Sequence, residues 1–118
     1  MYFMGTVFLA ALLPSAHVKE IPESVRTEPA ISIAAATERL QKAAGARVFF
    51  RLEGNITSRA EDRFVLRDAT GVAFAMVSCD NPWMPGDRVR LIGTALPHAN
   101  GDTSLFVEAL EIETIRHG

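Results

Sequence analysis

The sequence predicts an all-β domain, a closed five-stranded barrel of Greek-key topology that is preceded by one short α-helix. Three observations lead to this fold class. The chain has 118 residues, which is enough for one domain and too few for two. Its apolar residues recur with a helical period before Gly45 and with a period of two after it. Five such alternating segments follow, separated by short polar turns, and closure into a barrel would hide the edges of so small a sheet.

Residues 1–16 are interpreted as an export signal that precedes the folded domain. Residues 1–18 contain no Asp, Glu, Lys or Arg, and their apolar run VFLAALL is followed by Pro14, Ser15 and Ala16. This is the layout of a secretory signal peptide, with cleavage after Ala16. The alternative is a retained N-terminal membrane anchor, because the uncharged stretch is at the short limit of a membrane span. Residues 17–30 are charged, contain two prolines and have no apolar period, which predicts a linker.

The predicted helix covers residues 32–44. This segment is rich in Ala and also contains Leu, Glu, Arg, Gln and Lys, all of which favour helix formation. Ile33, Ala36 and Leu40 fall near one face of such a helix, and Gly45 is expected to cap its C-terminus. We therefore expect the helix to pack on the barrel through Ile33 and Leu40.

Strict alternation of apolar and polar residues predicts the first two strands. In the first strand, the residues expected to face the barrel interior are Val48, Phe50, Leu52, Gly54 and Ile56. A glycine inside a strand indicates a bulge or a bend. The polar residues 57–62 are expected to turn the chain. In the second strand, Phe64 and Leu66 are expected to face inward.

The segment RDATG, residues 67–71, is interpreted as a tight hairpin. Asp68 can accept hydrogen bonds from backbone amides two residues further on, and Gly71 tolerates a positive φ, so no ligand is needed to explain the motif. The third strand follows directly and contains Val72, Phe74 and Met76.

A proline-containing loop over residues 79–87 leads to the last two strands. The fourth strand covers residues 88–94, with Val89 and Leu91 expected to face inward. Residues 97–102 are expected to form a turn, and residues 105–115 form the fifth strand. The apolar phase slips between Val107 and Leu110, which indicates a bulge in this strand.

The order of these elements predicts a barrel of the OB type for residues 31–116, and a generic five-stranded barrel of SH3-like size is the alternative. The runs LEGNI (52–56), LRDATG (66–71) and GDRVRLIG (86–93) resemble the bacterial periplasmic OB-fold (BOF-like) family. They are also similar to OB modules at the extracytoplasmic ends of bacterial sensor proteins. The resemblance covers residues 30–115 and implies an exported binding or stress-tolerance protein without enzymatic activity.

No set of residues in the sequence predicts catalysis, a metal site or a cofactor. His17, His98 and His117 are not spaced with Cys79 or with a carboxylate as metal ligands would be. The chain lacks a Gly-x-Ser-x-Gly motif, a phosphate loop and a dinucleotide-binding fingerprint. For Cys79, the only cysteine, we expect a buried thiol, and a disulfide between two copies is the alternative. We therefore expect a protein that is not an enzyme.

Outward positions of the first two strands and one loop residue supply a candidate ligand-binding surface. OB barrels bind ligands on the outer face around strands two and three. The candidate ligand-binding residues are Arg47, Phe49, Arg51, Arg63, Arg67 and Trp83. Guanidinium groups pair with phosphates and carboxylates, and a base or an apolar ring can stack on Phe49. In the alternative interpretation the arginines pair with Glu53, Glu61 or Asp62, Phe49 lies under the helix, and Trp83 packs over a barrel end.

The preferred hypothesis is a periplasmic or otherwise extracytoplasmic OB-fold module. It would bind an anionic ligand, a cell-envelope ligand or a protein partner, and would keep no stable membrane span after signal cleavage. The main alternative is an OB-fold protein that binds single-stranded nucleic acid. The net charge of −2 disfavours nucleic acid as a partner. A third hypothesis is a structural or interaction domain related to a sensor protein.

Overall fold

The structure, a computed structural model, describes residues 21–78, 80–95 and 105–118. The described elements are α1 (Glu23–Thr27), α2 (Ile33–Gln41), β1 (Val48–Ala60), β2 (Arg63–Asp68), β3 (Gly71–Val77), β4 (Arg88–Ala95) and β5 (Leu105–Arg116). The strands close into a barrel in the order β1-β2-β3-β5-β4. This confirms the predicted five-stranded barrel with a short helix before it. The predicted signal peptide, residues 17–20 of the linker, Cys79, His98 and the turn at 97–102 lie outside the described residues.

The long strand β1 pairs with two different strands in succession. Its first part pairs antiparallel with β4, from Val48 opposite Ala95 to Asn55 opposite Arg88. Its last part pairs antiparallel with β2, from Asn55 opposite Arg67 to Ala60 opposite Arg63. The ring is completed by antiparallel pairing of β2 with β3 and of β4 with β5, and by parallel pairing of β3 with β5.

Gly54 lies where β1 passes from one partner strand to the other. A Cβ atom added at Gly54 would lie 2.5 Å from the carbonyl oxygen of Arg67 on β2. The glycine therefore permits a close approach of two backbones. The bulge in β1 is at Thr57, because the pairing with β2 skips from Ile56 to Ser58. The polar residues that follow continue β1 as far as Ala60, so the turn is shorter than the predicted segment 57–62.

The interior of the barrel follows the predicted alternation in β1, β2 and β4. The buried residues of these strands include Phe50, Leu52, Phe64, Leu66, Val89 and Leu91. In β3 the buried residues are Ala73, Ala75 and Val77, so Val72, Phe74 and Met76 point away from the core. In β5 the pairing with β4 skips Leu110, which confirms the predicted slip of phase after Val107.

Helix α2 covers one end of the barrel and is shorter than predicted. It buries Ile33, Ala36 and Leu40, as the sequence pattern predicts. The side chain of Ser32 caps its N-terminus by accepting a hydrogen bond from the backbone N–H of Ala35 (3.0 Å). The helix ends at Gln41, and the positive φ of Gly45 (89°) falls beyond a further turn, so Gly45 does not cap it directly.

The carboxylate of Asp68 joins the β2–β3 hairpin to α2. One oxygen, Oδ1, accepts hydrogen bonds from the hydroxyl and N–H of Thr70 (both 2.7 Å) and from the N–H of Gly71 (3.0 Å). The other oxygen, Oδ2, accepts from the N–H of Ile33 in the first turn of α2 (2.8 Å). The hydroxyl of Thr70 accepts in turn from the N–H of Ala34 (3.0 Å). The motif is the predicted hairpin, and it also caps the helix.

Two further properties of this hairpin follow from its hydrogen bonds. Gly71 does not have a positive φ, in contrast to Gly45 and Gly86, because the side chain of Asp68 stabilises the turn without it. Burial raises the pKa of Asp68, but the hydrogen bonds from the Thr70 hydroxyl and the three backbone amides outweigh burial and hold the pKa below its ordinary value.

Residues 21–31, called here the N-terminal strap, pack against the barrel. Most of this segment was predicted to be a linker, yet it contains α1, whose Val25 is buried. At the end of the strap, the N–H of Ile31 donates to the carbonyl oxygen of Arg51 (2.8 Å), and Ile31 forms a parallel bridge with Leu52. In the described residues, no helix has the length and hydropathy needed to cross a membrane.

We expect Gly54→Ala to lower the free energy of unfolding by about 1–3 kcal/mol, because the added Cβ would push β1 away from the Arg67 carbonyl. The matched control is Gly71→Ala, since a Cβ there meets only Ile33 Cγ2 at an ordinary 3.6 Å. The control should change stability by no more than about 0.5 kcal/mol. Urea denaturation of both variants checks the difference, and equal losses would contradict the close approach at Gly54.

Candidate ligand-binding face

The predicted binding residues on β1 and β2 occupy separate parts of the barrel. From the sequence, the outward residues of β1 were expected to lie beside those of β2. The register instead places Phe49 opposite Thr94 and Arg51 opposite Ile92, both on β4. Only from Asn55 onward does β1 pair with β2, where Asn55 lies opposite Arg67. The bend in β1 thus separates Arg47, Phe49 and Arg51 from Arg63 and Arg67.

Arg51 holds the N-terminal strap. Its Nη1 donates to the backbone carbonyl oxygens of Glu28 (2.8 Å) and Arg26 (3.3 Å), and the side chain is half-buried. Phe49 and Arg47 are also half-buried. The carbonyl oxygen of Phe49 accepts a hydrogen bond from Arg39 of α2 (3.4 Å). These contacts give Arg51 a structural role in this part of the barrel.

Two arginines of β4 neutralise the carboxylate of Glu53, which follows Arg51 on the outer side of β1. Glu53 pairs with Arg88 (3.0 Å) and Arg90 (3.1 Å), which are neighbours across the β1–β4 ladder. Burial raises the pKa of Glu53, but hydrogen bonds and charge from Arg90 and Arg88 outweigh burial and lower it overall. Arg90 also contacts Glu113 of β5 (3.4 Å). The outer side of β1, β4 and β5 therefore carries a network of cross-strand ion pairs.

Trp83 packs over a barrel end. The side chain is half-buried and packs against the hydrophobic core. Its ring meets the ring of Phe64 edge-on, with centroids 6.1 Å apart and planes at 60°. The indole Nε1 donates to the hydroxyl of Thr114 (3.1 Å), so the polar edge of the ring is satisfied within the protein. This arrangement matches the alternative interpretation given for Trp83 on the sequence.

An apolar surface covers the outer side of β2, β3 and β5, and we call it the aromatic face. Its central row crosses the three strands as Val65, Phe74 and Phe106. The rings of Phe74 and Phe106 stack with centroids 5.0 Å apart and planes at 19°. Phe106 is 39% exposed and Met76, in the next row, is 37% exposed. The residues of this face are Arg63, Val65, Arg67, Val72, Phe74, Met76, Phe106 and Glu108, which lies opposite Met76 on β5.

Two arginines of β2 form the cationic side of the aromatic face. Arg63 lies opposite Met76 and Arg67 opposite Val72. They are four residues apart on one strand, which separates them by about 13 Å. Arg63 pairs with Asp62 (3.0 Å) at an exposed position, and such a pair contributes only about 0–1 kcal/mol. Arg67 is exposed and forms no ion pair with another described residue.

Phe74 and Phe106 were not among the predicted binding residues. The sequence of β3, GVAFAMV, is apolar on both sides, so alternation alone does not show which side faces the core. The parallel pairing of β3 with β5 aligns Phe74 with Phe106. A signal was nevertheless present, because the small residues Ala73 and Ala75 alternate with the large ones, and small residues fit an interior already filled by Phe50 and Phe64.

The described part of the chain contains no cluster of three or more His, Cys, Asp or Glu side chains placed to hold a metal ion.

Solved structures show which fold the chain shares. No protein-family model matches the sequence, and no curated protein matches it. The "hypothetical protein ygiW from E. coli" is similar, with a TM-score of 0.55 and 18% identity, over 75% of this chain and 92% of that one. The "telomere capping protein Ten1 from Saccharomyces pombe" is similar with a TM-score of 0.50 and 17% identity, over 71% of this chain and 77% of that one. Both are OB-fold proteins, so the predicted OB type is confirmed.

We expect Arg51→Ala to loosen the N-terminal strap. The substitution removes charged hydrogen bonds to two backbone carbonyls, and one such bond contributes about 1.5–3 kcal/mol. Exchange of the Ile31 amide hydrogen should therefore become at least about tenfold faster. Arg47→Ala is the control, because Arg47 is half-buried on the same strand side without a hydrogen bond to the strap. Unchanged exchange in Arg51→Ala would show that other contacts hold the strap.

Proposed function

We propose that this protein is a non-enzymatic OB-fold binding module that works outside the cytoplasm and binds an anionic ligand on its aromatic face. The observation that carries the proposal is the partly exposed stack of Phe74 on Phe106 beside Arg63 and Arg67. Partly exposed, contiguous apolar side chains on a small domain mark an interaction site. Aromatic rings offer a flat apolar surface, and guanidinium groups pair with carboxylates or phosphates.

The shape of the aromatic face favours an extended ligand. The face is a sheet surface, and its two arginines are spaced along β2 by about 13 Å. An extended chain that runs along β2 would contact both guanidinium groups and rest an apolar or ring-bearing part on Phe74 and Phe106. The ligand classes that fit are an acidic cell-envelope polymer and an acidic segment of a partner protein. In OB barrels the loops that join strands one to two and four to five flank this surface.

The charge states of the carboxylates support a role without catalysis. Asp62, Asp68, Asp87 and Glu53 all have lowered pKa values, so each is ionised at neutral pH. A general acid or base that works near neutral pH needs a pKa shifted toward 7. The partners of these four carboxylates are arginines, backbone amides, a hydroxyl and His117, and three of the four lie away from the aromatic face.

Export is proposed from the N-terminal sequence. Residues 1–16 combine an apolar run with a small residue at the expected cleavage position. Export would bring the aromatic face into contact with envelope polymers and away from the nucleic acids of the cytoplasm.

The stacked ring pair also favours a second candidate, single-stranded nucleic acid. Bases stack on exposed aromatic side chains, with about 1–3 kcal/mol per base, and phosphates pair with nearby arginines. One of the proteins with a similar fold is described as a telomere capping protein. That similarity concerns the fold, and the net charge of −2 gives no general attraction to nucleic acid.

We expect Phe106→Ala to weaken ligand binding about tenfold, because it removes half of the exposed stack. The probes are fluorescent polygalacturonate, poly-L-glutamate and a 15-nucleotide oligo-dT, each followed by fluorescence anisotropy at low and at physiological salt. Ile115→Ala is the matched control, since Ile115 is 41% exposed near the end of β5. Arg67→Gln should also weaken binding and reduce its dependence on salt, whereas Arg116→Gln should do neither.

The outcomes of this experiment separate the two candidates. Tight binding of a polyanion without nucleotide preference supports the proposed module. Binding of oligo-dT alone, with a steep dependence on salt, supports the nucleic-acid candidate. Failure of all three probes to bind, or equal effects of Phe106→Ala and Ile115→Ala, would contradict a ligand site on the aromatic face.

Export is tested separately by expressing the full chain in a bacterium and fractionating the cells. We expect a periplasmic product whose mass corresponds to a chain that begins at His17. An intact chain in the cytoplasmic fraction would contradict export, and an intact chain in the membrane fraction would indicate a retained anchor.

A further inference from the structure

A cavity of about 320 Å³ opens on the outer side of β1, β4 and β5, apart from the aromatic face. Four charged side chains surround Ile92 in its lining: Arg51 from β1, Arg90 from β4, and Glu111 and Glu113 from β5. A volume of this size is at the lower limit of cavities that bind small molecules. It limits the ligand to a small molecule.

Two of these four charges are already neutralised by close partners within the protein. Arg90 is paired with Glu53 (3.1 Å). Glu111 is paired with Arg26 of the N-terminal strap (2.8 Å). Strong attraction to a ligand must therefore come from the other two groups, Arg51 and Glu113.

Arg51 and Glu113 have capacity for a further partner. Among the described residues, Arg51 donates only through Nη1 to backbone carbonyl oxygens and pairs with no carboxylate. Its Nε is buried without a hydrogen bond, so Nη2 is the donor that remains for a ligand. A half-buried guanidinium without a carboxylate partner has lost part of its hydration without a compensating charge. Among the described residues, Glu113 has one ion pair, a long contact of 3.4 Å to Arg90, and its side chain is 69% exposed.

The strand register sets the distance between these two groups. Ile92 of β4 lies opposite Arg51 on one side and Glu111 on the other, and Glu113 lies opposite Arg90 in the next row. Arg51 and Glu113 are thus two strands apart and displaced by two residues, which separates their backbones by about 12 Å. A ligand that contacts both charged groups therefore has to extend along this diagonal across β4.

We propose that this cavity binds a short peptide with free termini, two or three residues long. The lining carries two positive and two negative side chains, so it favours a zwitterion over a ligand with net charge. The peptide carboxylate pairs with Arg51, the terminal ammonium pairs with Glu113, and an apolar side chain rests on Ile92. Two or three extended residues span about 7–11 Å, whereas the two charges of a single α-amino acid are too close together to reach both groups.

This inference does not depend on the proposed ligand of the aromatic face, because the two sites share no residue. It is tested by NMR titration of the ¹⁵N-labelled full chain with the dipeptide L-alanyl-L-leucine up to about 10 mM. We expect saturable shifts of the Ile92 and Glu113 amides. The N-acetylated and C-amidated forms of the dipeptide should each bind about tenfold more weakly, since each lacks one charge-assisted contact.

Substitution of Glu113 gives the second measurement. Glu113→Gln should weaken dipeptide binding about tenfold, and the exposed position keeps the variant folded. The matched control is Glu38→Gln, an exposed carboxylate on α2 whose one ion pair with a described residue is to Lys42. Arg51→Ala is not used as the sole test because Arg51 also holds the strap.

Four results would overturn the inference. The first is the absence of saturable shifts, and the second is equal binding of the free and blocked dipeptides. The third is an equal effect of Glu113→Gln and Glu38→Gln. The fourth is a set of shifts confined to Phe74 and Phe106, which would assign the peptide to the aromatic face instead.

Discussion

The carboxylate of Asp68 is the constraint on which the arrangement of this barrel depends. It accepts hydrogen bonds from the turn that follows it and from the first turn of α2, 35 residues earlier in the chain. Both groups of amides are donors that neither the strands nor the helix can satisfy by themselves. A single side chain thereby closes the hairpin, caps the helix and fixes the helix on the barrel end. The burial of Ile33, Ala36 and Leu40 depends on that position of the helix.

Asp68 also stabilises the hairpin that carries the proposed ligand surface. The hairpin that Asp68 closes consists of β2 and β3, and these strands carry Arg67, Val72 and Phe74. A ligand that binds to the aromatic face would meet side chains on a strand pair with a fixed turn. Such preorganisation lowers the entropy cost of binding. The small residues Ala73 and Ala75 complete the arrangement, because Phe50 and Phe64 fill the interior and leave Phe74 on the outside.

Local sequence patterns were sufficient to predict much of the fold. Alternation identified the inward residues of β1, β2 and β4, such as Phe50, Phe64 and Leu91, and the slip of phase in β5. Contacts between distant segments could not be predicted in this way. Two examples are the hydrogen bond from the Ile33 N–H to Asp68 and the hydrogen bond from Arg51 to the Glu28 carbonyl of the strap. Each joins residues that are far apart in sequence.

Prediction of the candidate site was less complete for the same physical reason. The predicted residues Arg63 and Arg67 lie on the aromatic face, but β1 changes partner at Gly54, so Arg51 and Phe49 lie beside β4. The sequence did not show which side of β3 faces outward, because apolar residues occupy both sides of the strand. The stack of Phe74 on Phe106 depends on a parallel pairing of strands that local patterns do not reveal.

The role of Asp68 is tested by the free energy of unfolding of the wild-type protein and of Asp68→Asn, measured between about pH 3 and pH 7. The lowered pKa of Asp68 means that its ionised form stabilises the folded state above the unfolded pKa of about 3.9. This stabilisation is lost as the pH falls through the lower folded pKa. The difference between the two proteins isolates Asp68, because Glu53, Asp62 and Asp87 contribute equally to both curves.

We expect the wild type to be more stable by about 1–3 kcal/mol at neutral pH, and we expect this advantage to shrink below about pH 4. Curves that remain parallel over the whole range, or that coincide at neutral pH, would contradict the claim that the Asp68 carboxylate holds the helix and the hairpin together.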